Sequence, residues 1–258
     1  MRNRLIMLVL AVAALAALAG SAGHARRVSA AVSPVVVSIQ FDDGNLDQYI
    51  EAWPILQAHN MVATFYVNSG HIGTADHMTW TQLQDLQANH NEIAGHTIDH
   101  VDIKKLKPAD ARQQVCGDRN ALLANSLEAT DFAYPFGSFD AGSEQIVSDC
   151  GYNSGRGVAG GTETIPPLDA YGTRTPPNPK KATRLKRIEG YITAAQANGG
   201  GWVQLVFHHV CVKCDAYQIT PTHLDELLTW LQAQEANGVT VETTHQVIGG
   251  PVNPAVNP

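Results

Sequence analysis

The sequence predicts an α/β protein in which parallel strands alternate with helices and close into a (β/α) barrel. Strand-like and helix-like apolar patterns alternate along the chain, as is typical of βα units. Polar residues also gather at the C-terminal ends of successive predicted strands, where such barrels carry their chemistry; these are Asp42 and Asp43, His96, the Pro135 loop and His208. With 44% hydrophobic and 16% charged residues, the chain has the composition of a globular protein.

The first half of the chain alternates regularly between strand and helix patterns. A β-branched run over residues 35–41 predicts a buried strand that ends at Asp42 and Asp43, and apolar residues at helical spacing predict a helix over residues 46–59. Pro108 suits the first turn of a helix. The other elements predicted here are strands over residues 63–67, 92–94 and 132–134 and helices over residues 79–88, 108–126 and 143–148.

The second half contains an irregular crossing before the alternation resumes. Residues 155–179 are rich in glycine and proline, which predicts loops rather than regular elements. An apolar strand is expected over residues 202–207, followed directly by His208 and His209. The remaining elements are helices over residues 184–197 and 222–236 and a last strand over residues 239–243.

The N-terminal segment has the layout of a secretory signal peptide. Arg2 and Arg4 precede an apolar run over residues 5–19, and small residues follow it. A membrane anchor is the weaker alternative, because the run falls short of the roughly 20 residues that a spanning helix needs. We therefore expect a secreted protein without stable membrane insertion. Its predicted divisions are a signal peptide over residues 1–30, cleaved after Ala22, Ala25 or Ala30, one domain over residues 31–248, and a loose tail over residues 249–258.

Removal of the first 30 residues would make the protein strongly acidic. That segment holds four arginines and no acidic residue, so 13 basic residues remain against 24 acidic ones and the formal charge changes from -7 to -11. A protein of this charge is repelled by a phosphate backbone, which argues against nucleic acid as a partner. Nothing in the sequence indicates an oligomer.

The chain has four cysteines, which in an exported protein favours two disulfides. We expect Cys116 to pair with Cys150, and Cys211 with Cys214. The second pair could instead be half of a zinc site, but the chain has no further cysteine pair that would complete one.

Two histidines and a neighbouring strand end predict a metal site. His96 and His100 are four residues apart, so in a helical turn both rings would lie on one face and could meet one ion. An isolated pair at this spacing is more often two surface histidines. Here a buried strand leads into the pair, and Asp42 and Asp43 offer a carboxylate from another strand end. Two histidines and one carboxylate form a catalytic zinc ligand set with an open coordination position.

The residues beside this set predict hydrolytic chemistry. Consecutive residues at a strand end face opposite directions, so Asp42 and Asp43 can divide the roles of base and metal ligand. Hydrolysis of an amide also requires a proton for the departing amine, and His208 at its strand end is a suitable donor. His209 is the rival candidate, because strand alternation lets only one of the two face the site.

Four ordered motifs carry a family resemblance: Phe41-Asp42-Asp43-Gly44, His96-Thr97-Ile98-Asp99-His100, Tyr134-Pro135-Phe136-Gly137 and Val206-Phe207-His208. Over residues 35–248 they resemble the polysaccharide deacetylase family, the NodB homology type, also called carbohydrate esterase family 4. The resemblance implies a distorted (β/α) barrel with Asp42 as general base, His208 as general acid and the Phe136 backbone N–H at the oxyanion. It also implies one divalent ion held by Asp43, His96 and His100, usually zinc, with cobalt or another transition metal as the alternative.

The chain departs from the family pattern at Ala133. Many members carry an arginine at this position, two residues before the motif proline, where it supports the catalytic aspartate. The base therefore needs another cation, and Arg174 and Arg156 are available in the irregular crossing. We expect Arg174 to take this role, because some family branches carry an arginine in a similar place. Pro135 and His209 are further candidates for contacting substrate or supporting the base.

Three functions are compatible with these residues, and each has an acetylated polysaccharide or oligosaccharide as partner. The favoured one is metal-assisted removal of N-acetyl groups from polymers of the N-acetylglucosamine type, such as chitin, peptidoglycan or an exopolysaccharide. O-deacetylation of xylan could use the same site. A non-catalytic carbohydrate-binding protein on this fold is disfavoured, because Asp42, the metal ligands and His208 are all present.

Overall fold

The computed structural model describes residues 34–258, so the predicted signal peptide lies outside the described residues. A curled parallel sheet forms the centre of the protein. Its strands, together with the separate pair β8 and β9, are β1 (Val35–Phe41), β2 (Thr64–Val67), β3 (Glu92–Gly95), β4 (Asp131–Ala133), β5 (Ser154–Gly160), β6 (Thr173–Thr175), β7 (Gly201–Phe207), β8 (His209–Val210), β9 (Gln218–Ile219) and β10 (Val239–Val241).

Helices connect the strands and begin at recognisable signals. Thr79 caps α2 in a capping box with Gln82, and Pro108 is the first residue of α3, as expected. The α-helices are α1 (Trp53–Ala58), α2 (Trp80–Ala88), α3 (Pro108–Ala124), α4 (Ala141–Asp149), α5 (Leu185–Ala197), α6 (Pro221–Gln234) and α7 (Thr244–Ile248). Among the described residues, no helix is both long and apolar enough to cross a bilayer.

The sheet has the order β10, β1, β2, β3, β4, β5, β6, with β7 along the other edge of β1. All of its strand pairings are parallel. The sheet curls until β6 approaches β7, where Gln204 Nε2 donates to Thr173 Oγ1 at 3.2 Å and to the Arg174 carbonyl at 2.9 Å. The predicted distorted (β/α) barrel is therefore confirmed.

Alternate residues of each strand face two different environments. In β1, Val37, Ile39 and Phe41 belong to the main hydrophobic core, which the helices cover. Ser38 and Gln40 point the other way, into a polar barrel interior, because strand side chains alternate. Continued past the strand ends, the inward rows of β1, β3 and β7 finish at Asp42, His96 and His208. The barrel interior therefore leads to the candidate site.

The stretch expected to be irregular contains two strands of the sheet, β5 and β6. Glycine in β5 reflects close approach of aromatic rings rather than a loop. A Cβ at Gly155 would lie 2.6 Å from the Tyr134 hydroxyl oxygen, and one at Gly157 would lie 2.8 Å from the Phe139 ring. The prediction of loops is wrong here because glycine in a strand can mark a tightly packed position.

Residues 249–258 are attached to α3 instead of forming the expected loose tail. The buried Arg119 side chain donates to the carbonyls of Asn253 and Pro254. Asn120 and Val256 also exchange two hydrogen bonds. These bonds satisfy a buried guanidinium, so the tail belongs to the folded unit.

Both predicted disulfides are confirmed. Cys116 of α3 is joined to Cys150, which directly follows α4, and this bond links the two helices. Cys211 is joined to Cys214, which closes the loop between β8 and β9. The second pair is therefore not available as two thiolates for a metal ion.

Candidate active site

Three possible metal ligands meet beyond the C-terminal ends of β1 and β3. Asp43 Oδ1 lies 3.5 Å from His96 Nε2 and 3.3 Å from His100 Nε2. One ligand atom from each residue lies within 4.8 Å of the other two. The three predicted ligands are thus brought together by two strands that are separated by β2 in the sheet.

The atoms of this cluster fit a divalent ion. Asp43 Oδ1 is buried and has no hydrogen-bond partner among the described residues, an unfavourable state for a carboxylate oxygen unless a cation binds it. His96 Nδ1 lies 2.7 Å from the Ala133 carbonyl oxygen, so the Nδ1–H donates to this carbonyl and the Nε2 lone pair faces Asp43. A carboxylate and two imidazoles are the ligands that zinc prefers in catalytic sites.

Electrostatics within the cluster support the same reading. Burial raises the pKa of the Asp43 carboxyl, but His96, followed by His208 and His100, outweighs burial and holds this pKa well below its usual range. Burial and the neighbouring His96 lower the pKa of His100, which favours the neutral ring that binds metals. Burial lowers the pKa of His96, but the neighbouring Asp43 and Asp42 outweigh burial and raise it. The cluster therefore combines a carboxylate of lowered pKa with one imidazole, that of His100, which resists protonation.

The segment between the two histidines is a loop, so the prediction of a helical turn is wrong. Thr97 and His100 have φ angles of 69° and 52°, in the left-handed region that a helix excludes. The Asn68 side chain donates to the carbonyls of His96 and Thr97, and Asp118 of α3 accepts the His96 backbone N–H at 3.1 Å. These bonds hold the unusual backbone in place and bring the two rings to a centroid separation of 4.9 Å.

Asp42 lies next to the ligand Asp43, but its side chain has a different partner. Arg156 Nη2 donates to Asp42 Oδ1 at 2.6 Å, and both side chains are buried. The guanidinium also lies 4.7 Å from the centre of the Tyr66 ring. Burial alone lowers the pKa of Arg156, but Asp42 and then Tyr66 raise it above its ordinary value. A permanent cation therefore fixes the orientation of the Asp42 carboxylate.

Arg156, and not the expected Arg174, supports Asp42. In the sheet, Ala133 of β4 pairs directly with Arg156 of β5, so the cation expected at Ala133 comes from the neighbouring strand at the same level. Arg174 instead donates to Glu163 at 3.0 and 2.8 Å. The prediction of Arg174 is wrong because alternation in β6 turns the side chain of Thr173, and not that of Arg174, toward the interior.

His208 lies at the site and is held there through its backbone. Its backbone carbonyl accepts hydrogen bonds from Asn45 Nδ2 at 3.1 Å and from Gln48 Nε2 at 2.7 Å, which fixes the strand end. Its Nδ1 has no partner among residues 34–258. The ring is close enough to the cluster to lower the pKa of both Asp43 and His100. This position suits a group that exchanges a proton with substrate.

His209 is held away from that role by an acid of its own. Its Nδ1 lies 2.8 Å from Asp47 Oδ2, and this contact raises the pKa of the imidazole. Asp47 also lies near Cys211 and Cys214, and these three form the second group of convergent ligand types in the described chain. Because the two cysteines are joined in a disulfide, that group offers no free thiolates.

The Tyr134-Pro135-Phe136-Gly137 motif forms a single tight turn after β4. Phe136 has a φ angle of 61°, and its ring is exposed and edge-on to the His100 ring at 4.7 Å between centroids. In the described chain no protein acceptor is present for the Phe136 N–H. Pro135 is buried and begins the turn. Strained backbone of this kind is frequent at functional sites.

The residues that position the site were not predicted from the sequence, although the helical pattern around one of them indicates its role. Asp118 falls on the buried stripe of α3, at helical spacing with Val115 and Leu122. An acidic residue in such a stripe requires a partner and so points to a positioning role. Asn45 and Gln48 offered no such signal, because polar residues that follow a strand are common in loops.

The fold and the site define this chain as a (β/α)-barrel protein with a metal-type site at the C-terminal mouth of the barrel. Residues 30–155 match the family model described as polysaccharide deacetylase. Over these residues the chain carries a domain of the polysaccharide deacetylase family.

Two curated relatives match part of the chain. The protein named "Putative polysaccharide deacetylase YxkH" from Bacillus subtilis (strain 168) is 31% identical over 121 residues, 46% of this chain and 43% of that protein. The "Probable peptidoglycan-N-acetylglucosamine deacetylase" of Arthroderma benhamiae is 28% identical over 119 residues, 45% of this chain and 27% of that protein. The matches thus span less than half the length of either relative.

Solved structures extend the likeness to most of the fold. The peptidoglycan deacetylase PdaC from Bacillus subtilis superposes with a TM-score of 0.57 at 16% sequence identity, over 83% of this chain and 90% of that one. At this identity the likeness establishes the shared barrel fold.

Proposed function

We propose that this chain is a secreted, zinc-dependent deacetylase that hydrolyses N-acetyl groups of N-acetylglucosamine-type polysaccharides to free amine and acetate. The observation that carries the proposal is the division of labour between adjacent acids. Asp43 meets two histidines while Asp42, one residue away, is paired with Arg156. This arrangement provides a metal site and a separate base on one strand end.

The base is the first element of the proposed mechanism. A divalent cation held by Asp43, His96 and His100 supplies Lewis-acid polarisation of the acetyl carbonyl and of water. Asp42 accepts the proton of the attacking water, and Arg156 keeps its carboxylate correctly oriented during the transfer. Burial of the Asp42–Arg156 pair strengthens this control, because few water molecules compete for the carboxylate.

The acid and the oxyanion contact complete the mechanism. His208 donates a proton to the departing amine, and its free ring nitrogen and fixed backbone suit this role. The Phe136 N–H, which has no protein acceptor in the described chain, donates to the developing oxyanion.

Acetate release across a panel of polymers tests the proposal. Chitooligosaccharides, peptidoglycan and acetylxylan are each incubated with the zinc-loaded protein, with chelator, and with chelator followed by zinc or cobalt. We expect release from the N-acetyl polymers, loss with chelator and recovery with either metal. Release from acetylxylan alone would favour the O-esterase. Binding of the polymers without any release would favour the non-catalytic alternative.

Export is a separate part of the proposal and rests on the arginines and apolar run of the first 30 residues. We expect protein recovered from the culture medium to begin after Ala22, Ala25 or Ala30, which intact-mass measurement can distinguish. Retention of the full-length chain inside the cell would contradict export without affecting the proposed chemistry.

A further inference from the structure

Basic side chains are unevenly distributed in this acidic protein. Residues 177–191 carry five cations and the acid Glu189, and residues 211–217 carry one cation and the acid Asp215. The six cations, which we call the basic surface, are Lys180, Lys181, Arg184, Lys186, Arg187 and Lys213, and all are exposed. A chain with an excess of acids thus concentrates cations in two short segments.

Both segments lie at the C-terminal mouth of the barrel. Residues 177–191 follow the C-terminal end of β6, and residues 211–217 form the loop that follows β7 and β8. The Lys181 backbone N–H donates to the Ala216 carbonyl at 2.9 Å, which joins the two segments. Parallel strands of one barrel end at the same face, so the basic surface and the candidate active site share this face.

One aromatic ring separates the basic surface from the proposed general acid. The Tyr217 ring lies against the His208 ring at 5.2 Å between centroids. On Tyr217, in turn, Lys180 Nζ lies 5.0 Å from the ring centroid. The Lys180 ammonium and the His208 ring therefore both lie against the same aromatic ring, that of Tyr217.

The basic surface is not neutralised by the protein itself. Within residues 34–258, none of the six side chains lies within 4.0 Å of a carboxylate oxygen. Two surface cavities open among them, one of about 490 Å³ lined by Lys180, Arg184 and Arg187 and one of about 510 Å³ lined by Lys181 and Lys213. Cavities of this size accommodate small ligands or short polymer segments.

We propose that the basic surface binds the anionic groups of an acetylated polysaccharide that carries carboxylate or phosphate, while one of its acetyl groups lies at the active site. Clustered cations without acidic partners repel one another, and an anionic polymer relieves this repulsion. Neutral chitin or xylan would leave the cations without a counterpart. This inference rests on the proposed function only in placing an acetyl group of the bound polymer at the active site. Binding of the polymer to the basic surface can be measured separately.

Matched variants isolate the charge of the basic surface from the catalytic residues. The neutralised triple variant is Lys181→Gln, Arg184→Gln and Lys213→Gln. The charge-conserving control is Lys181→Arg, Arg184→Lys and Lys213→Arg. Lys180 is left unchanged in both, because it contacts Tyr217.

Affinity electrophoresis measures binding directly. The probes are carboxymethyl chitin, chitin phosphate, neutral glycol chitin and duplex DNA. We expect the parent and the charge-conserving control to be retarded by one or both anionic chitins and not by glycol chitin. The neutralised triple should bind the anionic chitin about tenfold more weakly, since it loses three exposed charge contacts. In 0.5 M NaCl, retardation of the parent should disappear, because salt screens exposed charges.

Defined results overturn the inference. It fails if the parent is not retarded by either anionic chitin, if the neutralised triple binds as well as the parent, or if duplex DNA binds as tightly as the anionic chitins. Acetate release from the same polymers tests the proposed function separately. Retardation without acetate release would contradict the proposed deacetylase activity but support binding of anionic polymers to the basic surface. Acetate release without charge-dependent binding would support the deacetylase activity and contradict the role of the basic surface.

Discussion

The barrel carries a cluster of acids and histidines at each mouth. The two clusters differ in whether their potential metal-ligand atoms converge. At the C-terminal mouth, the ligand atoms of Asp43 and two histidines all lie within 4.8 Å of one another. At the N-terminal mouth, Glu92 and Asp131 begin β3 and β4, and His245 Nδ1 lies 3.5 Å from Asp131 Oδ2. In the described chain these last three residues do not form a convergent set of ligand atoms.

The pKa values of Asp43 and Glu92, one acid from each mouth, shift in opposite directions. Histidines lower the pKa of Asp43, whereas burial, followed by the charge of Asp131, raises the pKa of Glu92 well above its usual range. Burial, and after it the charge of Glu92, raises the pKa of the Tyr66 phenol. Acids with histidines on several sides favour a cation, and two buried acids side by side favour a shared proton. Both clusters contain acids and histidine, so composition does not distinguish them. The position of each carboxylate relative to the histidine rings distinguishes a metal site from a site where two acids share a proton.

Substitution of the proposed base should produce the largest difference between the mouths. We expect Asp42→Asn to lower kcat by about 10²- to 10⁴-fold, because the water loses its proton acceptor. Asp131→Asn, at the opposite mouth, should leave kcat unchanged. The measurement is acetate release under saturating substrate. Equal losses in the two variants would show that Asp42 acts only through stability.

The two arginines near the barrel interior provide the next contrast. Arg156→Gln leaves the buried Asp42 without its cation, and we expect a loss of about 3–5 kcal/mol in the free energy of unfolding together with reduced kcat. Arg156→Lys keeps a charge and should restore part of both. Arg174→Gln should leave kcat unchanged, since Arg174 contacts Glu163. Urea unfolding and acetate release are measured on all three. A kcat loss in Arg174→Gln as large as in Arg156→Gln would contradict the assignment.

The acid behind His96 should have a smaller effect. Asp118 accepts the backbone N–H groups of His96 and Ser69, so Asp118→Asn loosens the ligand loop. We expect zinc affinity to fall by about tenfold, as is usual for residues that orient a ligand. Competition with a chromophoric chelator gives the value. Asp99→Asn is the control, because Asp99 is exposed in the same loop. An equal fall in zinc affinity in this variant would contradict a positioning role specific to Asp118.

The smallest expected effect is a pH dependence of stability at the N-terminal mouth. Because the pKa of Glu92 is raised in the folded state, folding binds a proton more tightly, and stability falls as pH rises above the ordinary glutamate range. Glu92→Gln cannot lose a proton and should gain stability relative to the parent between about pH 5 and about pH 8. Urea unfolding at both values tests this, with Glu128→Gln, an exposed acid of the same cavity, as control. A constant difference at both pH values would contradict the shared proton.

The first strand and the motif residues were predictable because their physical signals are local. The alternation of β1 continues directly into Asp42, so its register alone directs Asp42 into the barrel. The helix starts at Thr79 and Pro108 likewise follow from short-range capping. The same local signals set most of the predicted strands and helices.

The support of the site was not predictable because it depends on contacts between distant segments. Arg156 lies in β5, where glycines occupy the positions that pack against the rings of Tyr134 and Phe139. The strand therefore lacks the alternating apolar side chains from which a strand is predicted. Its pairing with Asp42 spans 114 positions in sequence. The loop to His100 takes left-handed backbone angles that only its bonds to Asn68 and Asp118 explain. Neither feature leaves a periodic pattern.

Zinc content of matched variants tests most directly whether the C-terminal cluster is the metal site. Parent, His96→Ala and Glu92→Gln are stripped with chelator, reloaded with zinc, desalted and measured by elemental analysis. We predict one zinc per chain in the parent and in Glu92→Gln, and none in His96→Ala. A full equivalent of zinc in His96→Ala, or its loss in Glu92→Gln, would contradict the account.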